Sequence, residues 1–350
     1  MSKYFIGLMT GTSADSIDGC VVDFGNGFEL IYSKSNNLEK NYKSKYEEAI
    51  KKGFKNKEDD EIVLELEESL NKSSVKLIKN LLDEIDTSLI SAIGFPGQTM
   101  FHDTERSYQI GCAQFLADEV GIKVIHDFRN YDMQKGGLGA PLVPEFHKYL
   151  FAESNKRKVI FNIGGISNGT FLDGEDIKVA SDVGPGNCLI DLVAMRDFGM
   201  PYDEDGKIAA TGQIDQRLLN SLLDKIRTKS YPRADDKSFY YNLDELESNK
   251  PENLLATLSE LTALCISDFC RSCDTPLEIL LHGGGTKNKF LMERLEKNIG
   301  YSLKFTDRLI PSKFVESAAF AYLAYLKRGI LVEPRPVSYT HLTLPTIALV

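Results

Sequence analysis

The sequence predicts an α/β protein of two related lobes with a cleft between them. Three observations carry that prediction. A strand, a turn of small residues and a returning strand occur near residues 3–33 and again near 158–173. Short apolar, β-prone runs alternate with longer helical patterns. Three strand ends run into loops of Gly, Ser, Thr and Asn, at 10–13, 164–169 and 283–285. The 350 residues are enough for two domains at roughly 100–200 residues each.

In chain order, residues 3–9 and 19–24 are β-prone, and Asp23-Phe24-Gly25-Asn26-Gly27 is a hairpin turn because Asn-Gly tolerates positive φ. Residues 28–33 return, which makes an antiparallel meander. Residues 38–86 are charged and helical, with Ile62, Leu64, Leu66, Leu70, Val75, Leu77, Leu81 and Leu82 as the apolar face. Strands follow at 88–95 and 123–128, with a helix at 113–120 between them. A glycine-rich loop covers 136–141. In the second half, 158–163 is a strand, 164–169 a turn, 170–173 its return and 177–180 the next strand. Helices are expected at 188–198, 288–298 and 314–327, and strands at 277–281 and 302–306.

Composition removes several function classes. There are 41 Lys+Arg against 51 Asp+Glu, a net charge of −10, with 42% hydrophobic residues. A nucleic-acid binder would need a basic stripe to neutralise phosphates, so none is expected as a partner. No apolar run approaches the ~18 residues of a membrane span. The N-terminal apolar run is too short for a signal-peptide core, so the chain is expected in the cytoplasm. The spacing of Cys265, Cys270 and Cys273 resembles part of an iron–sulfur motif. A helical pattern covers the three, however, and puts Cys265 and Cys270 on different faces. The five histidines form no zincin pattern, and no G-x-S-x-G elbow is present.

The glycine loops point to a polyphosphate. Small residues at a strand end let backbone N–H groups and hydroxyls approach an anion closely. Walker A and protein-kinase motifs are absent, so a nucleotide would be held by another design. Asp182 precedes Gly184-Pro185-Gly186-Asn187 and a helix. It is a general-base candidate for an acceptor that must lose a proton, with a plain turn cap as the alternative.

Several motifs in one order carry a family resemblance. Residues 7–18 (Gly-Leu-Met-Thr-Gly-Thr-Ser-Ala-Asp-Ser-Ile-Asp) resemble the opening signature of the anhydro-N-acetylmuramic acid kinases. So do Gly97-Gln98-Thr99, Asp127-Phe128-Arg129, residues 136–144, residues 162–168, Asp182–Asn187 with Asp191, Gly283–Gly285 with Asn288, and residues 316–321. The match spans about residues 4–330. It implies two ribonuclease-H-like lobes of the actin-like ATPase superfamily, with an interlobe active-site cleft. Lobe I would be 1–127 with 307–333, lobe II 128–306, and 334–350 an appended end. That last stretch has no acidic residue and breaks from the composition of the body, as a frameshifted or vector-derived end would.

The implied reaction uses ATP, Mg²⁺ and water to open the anhydro bridge of 1,6-anhydro-N-acetylmuramic acid and phosphorylate O6, in peptidoglycan recycling. Asp182 would activate water. Gly11, Thr12, Ser13, Ala14, Asp15, Ser16, Ile17 and Asp18 would hold the ATP phosphates with Gly164 and Gly165. Gly283, Gly284 and Gly285 would lie against the adenosine. Gln98, Asp127, Arg129 and Glu316 are sugar-site candidates. Arg129 suits the lactyl carboxylate, with an ion pair to Asp127 or Asp132 as the alternative. The metal ligands stay unassigned, and the resemblance implies a homodimer. The family's usual pattern is altered at Ser16, at Phe95-Pro96, and where Pro-Pro-Lys-Ser-x-Gly-Arg-Glu is expected. There this chain reads Ala234-Asp235-Asp236-Lys237-Ser238-Phe239-Tyr240-Tyr241. It differs again at 308–312. These departures bear on the sugar more than on ATP, so a kinase for another amino sugar or anhydrosugar stays open. So does a nucleotide- or sugar-binding regulator without turnover.

Overall fold

The computed structural model describes residues 3–11, 14–52, 60–103, 105–235, 237–243, 246–248, 250–274 and 277–335. The expected meander is present. Strands β1 (Tyr4–Thr10), β2 (Ser16–Asp23) and β3 (Glu29–Asn37) pair antiparallel. The Asp23 carboxylate accepts the Gly25 N–H at 2.8 Å and closes the turn after β2. Helices α1 (Tyr42–Lys52) and α2 (Glu61–Leu82) cross over to β4 (Ile90–Gly94), which lies parallel to β1. A hairpin of β5 (Gln98–His102) and β6 (Ser107–Ile110) follows, then α3 (Ala113–Val120) and β7 (Val124–His126), parallel to β4.

Helices α4 (Phe128–Gln134) and α5 (Pro144–Phe151) lead to the second sheet. There β8 (Arg157–Ile163), β9 (Ile166–Asp173) and β10 (Asp176–Pro185) form another antiparallel meander. Helices α6 (Cys188–Phe198), α7 (Gln216–Ile226), α8 (Lys237–Tyr241) and α9 (Pro251–Ser272) precede β11 (Glu278–His282), parallel to β8. Then come α10 (Lys289–Ile299), β12 (Leu303–Phe305), α11 (Val315–Tyr325) and β13 (Ile330–Val332).

The strand orders are 3-2-1-4-7, extended by β13, and 10-9-8-11-12. The repeat in the sequence is thus one of topology: three antiparallel strands followed by two parallel ones, the ribonuclease-H-like arrangement. Its consequence is positional. The loops after β1 and β8 occupy equivalent places, and the loop after β11 leaves the strand next to β8.

The structure corrects several local expectations. The strand expected at 177–180 continues to Pro185, so Asp182 lies inside a strand, paired opposite Asn168, with the register slipping between Asp182 and Gly184. The turn expected over 164–169 takes only Gly164 and Gly165. The strand at 123–128 is shorter, because Phe128 already starts α4. The β5–β6 hairpin and helices α4 and α5 were not expected, being too short for periodicity to register. Leu64 is exposed, while the rest of its stripe faces the core. Cys265 and Cys270 are both buried, in two separate core clusters on opposite sides of α9.

Two contacts hold the halves together. Helix α11 follows β12 in the chain yet packs on the first sheet, where Val315, Ala318, Ala319 and Ala321 share a core with Cys20 and Val22. Its approach to β1 and β4 is backbone to backbone. A Cβ on Gly7 would fall 1.8 Å from the Ser317 carbonyl, and one on Gly94 2.2 Å from that of Phe320. Helix α5 bridges the sheets. Phe146 packs in the α11 cluster, while Phe151 packs with Ile160, Leu172 and Leu280. Between them His147 is fully buried, its Nε2 2.9 Å from Nε2 of His282 and its Nδ1 2.9 Å from Thr170 Oγ1. Burial pushes both imidazoles below their ordinary range, so the pair is neutral.

Among the described residues, no helix is long and apolar enough to cross a membrane. Of residues 334–350, Pro334 and Arg335 are described. The Arg335 guanidinium is paired with Asp118 on α3 at 2.6 Å; residues 336–350 lie outside the described residues.

Gly7→Ala should cost about 2–3 kcal/mol of unfolding free energy in urea titration, because β1 and α11 cannot both keep their places.

Candidate active site

Two glycine loops of the second sheet fold onto each other. The Gly186 N–H donates to the Gly165 carbonyl at 2.9 Å and the Asn187 N–H to that of Gly164 at 2.8 Å. Asn187 Nδ2 also donates to the Gly164 carbonyl at 3.0 Å. A Cβ on Gly186 would lie 2.2 Å from the Gly164 oxygen, and one on Gly285 2.2 Å from Ile163 Cγ2. Gly283, at φ +93°, would press a Cβ to 2.4 Å from Asn162 Oδ1. These glycines are required by packing. Gly284 differs: a Cβ there meets nothing within 4 Å, so its face is open. The pair Gly164-Gly165 and the loop 283–285 therefore form one small-residue surface beside the ends of β8 and β11.

The β1–β2 turn of the first sheet approaches helix α6, which follows Asn187. Ala14 is buried at φ +52° between β1 and β2. Asp15 lies within electrostatic reach of Asp191, one helical turn into α6. Burial pushes the Asp191 carboxyl up to about 7, partly offset by Lys43 and Lys237. Asp18 is ion-paired with Lys313 at 3.3 Å. Thr12 and Ser13 lie outside the described residues.

Asp182 is 7% exposed. Its Oδ2 accepts the N–H of Asp235, 53 residues away, at 2.8 Å. It is not a local turn cap. Burial pushes its carboxyl up to about 7, the Asp235 charge adds to this, and the Asp235 N–H, Arg129 and Arg233 pull it back. Arg129, on α4, faces both Asp182 and Glu316, and its Nη1 donates to the Gly139 carbonyl at 2.8 Å. Glu316, in the first turn of α11, is also pushed up to about 7 by burial, against the pull of Arg129 and a hydrogen bond with Asn162. Asn162 ends β8 beside Gly283. Asp182, Arg129 and Glu316 thus converge from β10, α4 and α11.

The remaining candidates divide. Gln98 is 1% exposed, and its Oε1 has no hydrogen-bond partner among the described residues. Beside it, the Tyr46 hydroxyl donates to the neighbouring Thr99 carbonyl at 2.8 Å. Asp127 instead begins α4 at φ +55°, and its Oδ1 accepts Asn130 Nδ2 at 2.6 Å. Asp132 accepts the Gly139 N–H at 2.8 Å, so neither aspartate forms a close ion pair with Arg129 among the described contacts. Sequence reading singled out none of Arg233, Asp235 and Tyr240. Their one signal was the break from the family pattern around Lys237-Ser238.

No three His, Cys, Asp or Glu side chains among the described residues converge as a metal cage. The carboxylates of Asp15 and Asp191 fit a cation carried mainly by phosphate oxygens and water, the usual state of Mg²⁺.

The anhydro-N-acetylmuramic acid kinase family matches residues 3–335. A relative of that name from Shewanella pealeana is 36% identical, covering 92% of this chain and 91% of its own. Another, from Hydrogenovibrio crunogenus, is 34% identical over 98% of this chain and 95% of its own. A solved structure, the activator of the 2-hydroxyisocaproyl-CoA dehydratase from Clostridium difficile with bound ADPNP, superposes with a TM-score of 0.47. It is 11% identical over 93% of this chain and 95% of its own.

Because Asp182 holds its proton more tightly folded than unfolded, its contribution to stability falls as pH rises from about 4 to about 7. Asp182→Asn should therefore be nearly neutral below pH 4 and more stable than wild type by about 2–4 kcal/mol at pH 8, read from urea midpoints.

Proposed function

The chain belongs to the anhydro-N-acetylmuramic acid kinase family, and we propose that it converts 1,6-anhydro-N-acetylmuramic acid, ATP and water to N-acetylmuramic acid 6-phosphate and ADP, as in peptidoglycan recycling. The observation that carries the mechanism is Asp182: a buried carboxyl with an affinity for protons near neutrality, facing an arginine across the junction of the two sheets. A general base works best when its pKa lies near the working pH.

The anhydrosugar has no free O6. Asp182 takes a proton from water, whose oxygen attacks C1. The C1–O6 bond breaks, and O6 takes the γ-phosphoryl group of ATP. Oδ2 of Asp182 is engaged by the Asp235 N–H, so Oδ1 takes the proton. Arg129 orients the sugar through its lactyl carboxylate, and Glu316 and Gln98 hold its hydroxyl and amide groups. Asp127 shapes the start of α4 beside them. Residues 11–18 with Gly164 and Gly165 hold the phosphates, and Gly283, Gly284 and Gly285 form the adenosine face, opened by Gly284. Asp15 and Asp191 would hold Mg²⁺, which would supply charge neutralisation at the phosphates. The two lobes, 1–127 with 307–333 and 128–306, close over both substrates. The family resemblance alone supports a homodimer.

ADP release should require the anhydrosugar, and in ¹⁸O-labelled water the label should enter the C1 hydroxyl. Asp182→Asn should lower kcat about 10²–10⁴-fold while still binding ATP; undiminished turnover would refute the assignment. Arg129→Lys keeps the charge but not the two-pronged geometry. It should raise KM for the sugar about tenfold or more and leave KM for ATP unchanged.

A further inference from the structure

Strand β10, which carries Asp182, is an edge strand, and residues 233–235 lie along its open side. The Asp182 N–H donates to the Arg233 carbonyl at 3.0 Å. The Arg233 N–H donates to Ser181 Oγ at 2.9 Å, and its Nη2 to the Val183 carbonyl at 2.7 Å. The segment ends on Asp235, whose side chain is 1% exposed. Three groups meet that carboxylate: Tyr240 donates its hydroxyl to Oδ2 at 2.6 Å, Arg233 Nε lies 3.0 Å from Oδ2, and Lys229 Nζ lies 3.1 Å from Oδ1. A carboxylate this deeply buried is retained only with such pairing. Lys-Ser in this chain aligns with Lys-Ser of the family pattern, so Asp235 occupies a place where that pattern has proline. Proline has no N–H to give.

We propose that Asp235 is a positioning residue for Asp182: Arg233, Lys229 and Tyr240 fix its carboxylate, and this holds its backbone N–H on one oxygen of the base and leaves the other for the acceptor water. The inference rests on the reading of Asp182 as the base. The same arrangement tunes charge. Asp182 is faced by Asp235 and Arg233 from the brace and by Arg129 from α4, so the Asp235 carboxylate is the one negative group raising its proton affinity among these three.

The test uses the full-length enzyme and its pH profile. Asp235→Asn should lower kcat about 10–100-fold with KM for ATP within twofold of wild type. It should also move the acid limb of kcat/KM to lower pH, because a negative charge beside the base is gone. An acid limb that stays in place overturns the proposal whatever happens to kcat, since a merely structural role would lower activity alone. Should Asp235→Asn not fold, Tyr240→Phe, which removes only the hydroxyl, carries the test. A kcat drop of about threefold or more at unchanged KM for ATP supports the proposal, and wild-type kcat overturns it. Turnover in Asp182→Asn would sink the base reading itself. An inactive Asp182→Asn beside an unmoved limb in Asp235→Asn would sink only the positioning role.

Discussion

The contact on which the rest of the molecule depends is the seating of α11 on β1 and β4. Backbone meets backbone there, with Gly7 and Gly94 giving up side chains so that the Ser317 and Phe320 carbonyls can approach. The helix supplies small residues in return, Ser317, Ala318, Ala319 and Ala321. One result is that a segment from the end of the chain closes the core of the first sheet. Another is that Glu316, in the first turn of α11, is carried to the junction with the second sheet, where it meets Arg129 and Asn162. A helix held farther out would deliver neither.

Helix α5 makes the complementary connection. One side of it belongs to the aromatic core around Phe24, Phe28 and Tyr322, and the other to the second sheet through the buried His147–His282 pair. His282 immediately precedes Gly283, so the helix joining the sheets is fixed against the strand that ends in the 283–285 glycine loop. The carboxylates at the centre, Asp182 and Glu316, are kept from full solvation by this closure. Their affinity for protons rises for that reason, with Arg129 between them as the compensating charge.

Much of the fold was legible because its signals are local. The meander of β1–β3 shows as alternating β-prone runs around an Asn-Gly turn. Helices α3 and α6 are bounded by residues whose preferences agree with their places, and Gly121 and Gly199 cap them in the left-handed region. Short elements were not legible. The three-residue strand β13 and the seven- and eight-residue helices α4 and α5 contain too few turns for a period to show. Asp182 looked like a loop residue because Gly184 and Pro185 follow it. Those residues instead form the irregular end of a long edge strand, stabilised by Arg233 and Asp235, which are distant in sequence.

The sequence by itself determined the repeated topology, the glycine loops and the residue types at the centre, because periodicity, turn chemistry and ordered motifs are properties of neighbours along the chain. It also marked residues 234–241 as a break from the family pattern without saying what the break does. Only the tertiary structure decided that Asp235 is buried against Arg233 and Tyr240 and gives its N–H to Asp182, and that Arg129 faces Asp182 and Glu316. The Asp182–Asp235 contact joins residues 53 apart in the chain, and Arg129 and Glu316 meet across 187. No window of the sequence contains both members of such a pair.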